Sequence, residues 1–155
     1  MLDGAPDHKE ALALLERLLD DARAGVAERR EALETLKAHF TKKGKAKDVV
    51  RILELGLAFV APEERAALLR DLVQRLLDVG DEARATAHQA RLLVLDPMPK
   101  EQDALRALTE RTRDWGTYID ALVAAADACA QPATAVGLLL DAARTREEVL
   151  ADEAG

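Results

Sequence analysis

The chain has 155 residues, the length of one ordinary domain, with 49% apolar residues but only 3% aromatic ones. Its core must be built from Leu, Ala and Val, and no segment keeps a two-residue alternation, so the composition points to an all-α fold and away from sheet. A net charge of −7, from 29 acidic and 22 basic residues, speaks against a general grip on nucleic acid, which needs a clustered positive face.

Chain breakers divide the sequence into eight predicted helices. Asp7 with Glu10 three residues on is a capping-box pattern that opens a helix running to about Ala24, where Gly25 ends it. The second spans about Ala27 to Lys43 and closes on Gly44, a residue suited to the left-handed cap; the third spans about Lys45 to Val60. Ala61-Pro62-Glu63-Glu64 starts the fourth, with proline in the first turn and two acids at the positive end of the dipole. It ends at Val79-Gly80, and Asp81 caps a fifth helix reaching about Leu95. Asp96-Pro97-Met98-Pro99 forbids continuation. The sixth helix covers about Lys100 to Arg113. Asp114 caps the seventh, about Trp115 to Ala130, and Gln131-Pro132 separates it from an eighth reaching about Val149.

These helices repeat. Gly44, Gly80 and Gly116 lie 36 residues apart, as do Leu33, Leu69 and Leu105, and Leu36, Leu72 and Leu108. Ala13, Val49, Ala85 and Ala121 keep the same beat. A fixed period of this size marks helical pairs that bury their apolar faces by stacking on neighbours. Four approximate units follow, at 8–43, 44–79, 80–115 and 116–151, and the order that recurs along the chain is first helix, Gly turn, second helix, Pro turn. The two leucine sets are three residues apart, so each pair shares one buried face, with Phe40 and Leu76 extending it. On this register Leu72 points inward and Arg70 outward.

The pattern resembles a tetratricopeptide-type repeat, most closely over Ala66 to Pro97. Leu69, Leu72 and Leu76 match the large positions of that family's first helix, Gly80-Asp81 its turn, Ala85 its small position and Leu95-Asp96-Pro97 its ending. The chain departs from it at Lys37, Val73 and Thr109, where the family carries a small residue, and in a period two residues longer than usual. Degenerate Ala/Leu/Arg-rich repeats of this kind are similar to those of long bacterial scaffold proteins, with the expectation that this chain is an excerpt from a longer array. The resemblance implies an α-solenoid, a right-handed superhelix of antiparallel helix pairs whose first helices line a concave groove. Its groove residues would be Glu31, Glu34, Ala38 and Lys42, then Arg70, Asp71, Gln74 and Asp78, then Arg106, Glu110 and Arg113. The family's carboxylate clamp, which uses Asn and Lys, is not expected, because the chain contains no asparagine.

Residues able to carry chemistry are sparse. His8, His39 and His88 show no metal-ligand spacing, and His88 reads as a surface position. Serine is absent, and no glycine loop could cradle a phosphate. Asp20-Asp21 and Glu147-Glu148 are adjacent pairs whose members point apart on a helix. Cys129, the single cysteine, reads as a small core residue compatible with a reducing compartment. For Trp115 and Tyr118 the resemblance implies aromatics packed between units, with an exposed anchor for a partner as the alternative. Lys37, Lys42, Lys43, Lys45, Lys47 and Arg51 cluster around Gly44 with only Asp48 opposing them. This cluster suits either a helix C-terminus or contact with an anion or acidic partner.

Neither catalysis nor a cofactor nor a metal is expected. The leading expectation is a soluble, non-enzymatic scaffold that offers its groove to a peptide or protein. The alternatives are a structural spacer in a larger protein and a nucleic-acid-binding repeat using the lysines around Gly44. No secretory leader or membrane span is visible in the sequence, so a cytoplasmic location is the default.

Overall fold

The computed structural model describes residues 6–154, with side chains from residue 9 to residue 151. Among the described residues there are eight helices and no strand. They are α1 (Pro6–Asp20), α2 (Val26–Lys42), α3 (Ala46–Gly56), α4 (Pro62–Asp78), α5 (Glu82–Leu95), α6 (Pro99–Thr112), α7 (Trp115–Ala128) and α8 (Pro132–Ala154). The all-α expectation is met, and each element agrees with its predicted counterpart to within a few residues. The Asp7 side chain, on which the first capping pattern depends, lies outside the described residues, as does that of His8. The chain forms two compact units, Met1–Leu68 and Leu69–Gly155, and the division falls inside α4.

In the first unit α1 packs on α2 and α3, and α2 packs on α3. Its core is Leu19, Leu33, Leu36, Phe40, Val49, Ile52 and Leu53, all buried. Two helices are shorter than predicted, each for a local reason. α1 stops at Asp20 because the Asp21 carboxylate accepts the Arg23 backbone N–H at 3.0 Å, a turn that competes with the helix ladder. The carbonyl of Leu19 is then left for Arg29, which donates to it at 2.8 and 3.1 Å while its guanidinium stacks 4.5 Å above the Phe59 ring. α3 stops at Gly56 rather than Val60. The chain tightens there through Leu57 N–H to Glu54 at 3.3 Å and Phe59 N–H to Gly56 at 3.2 Å, which lets Phe59 and Val60 both turn inward. Gly56 also lies close against α2: a β-carbon there would stand 2.8 Å from Leu33 Cδ2.

In the second unit α5 packs on α6 and α7, α6 packs on α7, and α7 packs on α8. Leu69, Leu72 and Leu76 of α4 are fully buried, as are Leu92, Leu93, Leu105, Tyr118 and Leu122. The leucine pairs read as one face therefore lie inward in both units, and so do Val49, Ala85 and Ala121 at the small position.

The turns separate the third predicted unit from the others. Gly44 and Gly80 close α2 and α4 with φ of +69° and +82°. Gly116 does not close α6: it lies inside α7, and the left-handed residue after α6 is Arg113, at φ 64°. The reason is length. α2 and α4 have 17 residues each and α6 has 14. Three residues turn a helix by about 300°, so removing them still leaves Leu105 and Leu108 facing inward while the turn arrives early. Counted from the turn, Gln102 takes the place of Leu33 and Leu69, and Tyr118 that of Val49 and Ala85.

The residue after the left-handed position starts the next helix. Asp81 and Asp114 do so by accepting the Arg84 and Thr117 backbone N–H groups at 3.1 and 3.2 Å. Lys45 holds the same position before α3 and has no side-chain cap to offer. Asp81→Ala is expected to lower stability by about 1 kcal/mol and Lys45→Asp to raise it by a similar amount, as read from urea unfolding midpoints. A loss of stability in Lys45→Asp would contradict this account of the turn.

Candidate functional site

The second unit contains a connected set of polar side chains drawn from three helices. The Tyr118 hydroxyl on α7 donates to Asp141 Oδ2 on α8 at 2.7 Å. Arg106 on α6 donates to Asp141 Oδ1 at 2.8 Å and to the Tyr118 oxygen at 3.3 Å, with its guanidinium 5.5 Å from the tyrosine ring. Gln102, one turn earlier on α6, donates to Asp141 and, at 3.4 Å, to the Tyr118 oxygen. Trp115 meets the tyrosine edge to face, with centroids 5.7 Å apart and planes at 89°.

The sequence explains how these residues come together. The short α6 puts Gln102 where the other units carry leucine, and α7 offers a tyrosine where they carry a small residue. Burying a phenol and an amide demands partners, and Asp141 supplies them from the apolar run Leu138 to Ala143. Burial pushes the Tyr118 hydroxyl up, and its bond to Asp141 adds to this. For Asp141 burial pulls upward too, but the Tyr118 hydroxyl, then the Arg106 charge and the Arg106 and Gln102 donors outweigh it and hold the carboxyl below its usual range. The Tyr118 bond, followed by Asp141, raises Arg106 in turn. A protonated phenol, an ionised carboxylate and a guanidinium keep these states through neutral pH, so the set acts as a tie between helices.

Beside it is a groove of about 630 Å³, lined by Leu95, Pro97 and Met98 after α5, by Gln102, and by Cys129 and Leu138 around the start of α8. Cys129 was expected in the core. It lies half-buried at the end of α7 instead, with its thiol directed at the Gln131 carbonyl 3.6 Å away. The volume is that of a pocket for a small ligand or a large side chain.

The residues expected to line a partner groove divide between the units. On α2, Glu31, Glu34 and Lys42 are all exposed. On α4, Gln74 is exposed and donates to Asp78 at 3.2 Å, whereas Arg70 and Asp71 are half-buried. Asp71 accepts from Arg75 at 2.9 Å. On α6 Arg106 is tied to Asp141 and Glu110 is exposed, and Arg113 is the left-handed residue beyond the helix. The Gln74–Asp78 bond stays within the expected set, whereas Asp71 and Arg106 are held by residues outside it, with the meeting of Gln102, Tyr118 and Asp141 unforeseen. The sequence clue to them was a lone tyrosine on a buried face and an acid inside an apolar run.

Two positions differ from expectation. Arg70 is not on a free outer face: it pairs with Asp96 and lies 3.4 Å from Glu101, whose side chain is only 8% exposed. His88 is buried, not at the surface. Burial, followed by the charges of Arg91 and Arg84, lowers it below the usual histidine range, and Arg91 approaches its Nδ1 at 3.4 Å. Among the described residues no group of three or more His, Cys, Asp or Glu is placed to hold a metal ion, and no helix is long and apolar enough to cross a membrane. No protein-family model matches the chain, and comparison with the curated proteins finds no significant match.

Arg70→Asp is expected to destabilise by roughly 2–3 kcal/mol, because it sets a third carboxylate beside Asp96 and the buried Glu101. Denaturant unfolding checks this, and a change below about 0.5 kcal/mol would mean that Arg70 is free in solution. For Asp141, a depressed carboxyl stabilises the fold above the ordinary value near 3.9, and that stabilisation is lost as pH falls through the lower folded value. Asp141→Asn should then be about 1–3 kcal/mol less stable than the wild type at neutral pH, with the gap closing below about pH 4. A gap that is independent of pH would show that the carboxylate charge is not what holds the three helices.

Proposed function

We propose that the chain is a non-enzymatic, tetratricopeptide-like interaction module of the α-solenoid type. In this reading the polar faces of the first helices, α2, α4 and α6, form its contact surface for a protein or peptide. The observation that carries it is the repeated packing within each unit, where helices adjacent in sequence and helices two apart lie against each other around the same leucine positions. Such stacking commits one face of each helix to the core and leaves the other for recognition on a preformed surface. Glu31, Glu34 and Glu110 are exposed, and among the described residues their carboxylates enter no ion pair, so they are the contact residues this reading rests on most.

A second reading, a spacer that binds nothing, is favoured by one observation. Arg70, Asp71 and Arg106 of the expected contact set are already held by partners within the chain. Two experiments separate the readings. Glu31→Lys/Glu34→Lys/Glu110→Lys should abolish cross-links between the protein and its partner in cells while leaving the melting temperature unchanged. Retention of the same cross-links would count against the contact surface. Removal of residues 44–79, one whole period, should be tolerated by a spacer and not by a recognition module.

A further inference from the structure

The turn between α2 and α3, in the first unit, has a charge pattern that the fold does not require. Five of the seven lysines of the chain fall between positions 37 and 47, while its 15 arginines are spread elsewhere. Lys42, Lys43, Lys45 and Lys47 are all exposed, and among the described residues none of the four enters an ion pair. The arginines are used differently: Arg30, Arg51, Arg70, Arg106 and Arg111 each hold a carboxylate from another helix or its flanking turn. The nearest acid, Asp48, is occupied by Arg51 at 3.1 Å, and Arg51 also holds Glu16 at 2.7 Å.

Helix electrostatics accounts for half of this cluster. Lys42 and Lys43 stand at the C-terminus of α2, where a cation meets the negative end of the dipole. Lys45 and Lys47 stand at the start of α3, where a cation opposes the dipole, and Lys45 occupies the position that Asp81 and Asp114 use for capping. A local departure from the stabilising choice is the mark of a position kept for something besides stability.

We infer that this turn is a docking point for a short carboxylate-rich segment of another polypeptide. Complementary charge argues for an acidic partner, since ammonium groups on flexible stems suit a wet contact without fixed geometry. Three features favour an acidic peptide over a nucleic acid. The neighbouring Phe40 is buried, so no phenyl face is offered to a base. Arg51 is already engaged and cannot fork onto a phosphate. Outside residues 37–51 the chain carries 28 acids against 16 basic residues, so a long polyanion running past the turn meets repulsion that a short segment avoids. The inference is independent of the helix-face contact surface, with which it shares only Lys42.

Fluorescence anisotropy with a labelled peptide of roughly ten glutamates tests it, at about 50 mM and about 300 mM salt. The wild-type chain is expected to bind at the lower salt and to lose at least about tenfold in affinity at the higher. Lys42→Gln/Lys43→Gln/Lys45→Gln/Lys47→Gln should abolish binding and melt no lower than the wild type. A control of equal net charge, Lys9→Gln/Lys100→Gln/Arg144→Gln/Arg146→Gln, should bind within about twofold of the wild type. Equal losses in the two variants would overturn the inference, as would tighter binding of a single-stranded oligonucleotide of matched charge. A marked drop in melting temperature for the lysine variant would return these residues to a role in the fold. Sedimentation showing wild-type self-association that disappears in the lysine variant would assign the turn to a second copy of this chain and also overturn it.

Discussion

Leucine side chains spaced three residues apart, carried inward by helices of 14 to 17 residues, are what the remainder of this molecule rests on. Helices of that length are marginal in water on their own, because nucleation is unfavourable and few ladder bonds follow it. Each persists by covering one stripe against a neighbour. With aromatics at 3% of the chain, leucine must fill most of that volume, and small residues such as Ala85 and Gly56 let the backbones approach closely enough to be filled. The same constraint leaves the opposite faces free to be polar.

The third unit shows what happens when the period slips while the stripe is kept. A helix shortened by three residues keeps its leucines inward but moves its turn, and positions that are apolar in the other units then hold a half-buried glutamine and a buried tyrosine. Neither can be buried without partners, and both find one in Asp141, with Arg106 completing the set. An apolar contact that serves as packing in the other units is replaced here by a directional tie among α6, α7 and α8. Such ties fix register more sharply than leucines do, because a misaligned hydrogen bond is lost whereas a misaligned methyl group is only less well packed.

Basic residues are divided by type. Arginine, whose planar fork matches a carboxylate, supplies most of the ties between helices: to Glu16, Glu82, Asp96 and Asp141 in separate places. Lysine is concentrated around one exposed turn, where among the described residues Lys42, Lys43, Lys45 and Lys47 enter no ion pair. The acidic excess of the sequence is thus partly absorbed by internal pairs.

Helix number, helix order and the inward-facing leucines were legible in the sequence, because periodicity and chain breakers act through residues close together along the chain. Aspartates at 81 and 114 announced their caps for the same reason. The exposed charge of Glu31, Glu34, Glu110 and the lysines was also readable, since each lies opposite a leucine stripe. Tertiary structure alone decided that Arg113 makes the turn, that Arg70 and His88 are enclosed, and that Gln102, Tyr118 and Asp141 meet. Those outcomes depend on which residues distant in sequence are brought within about 3 Å. Local spacing along one helix does not encode that distance; the packing of several helices does.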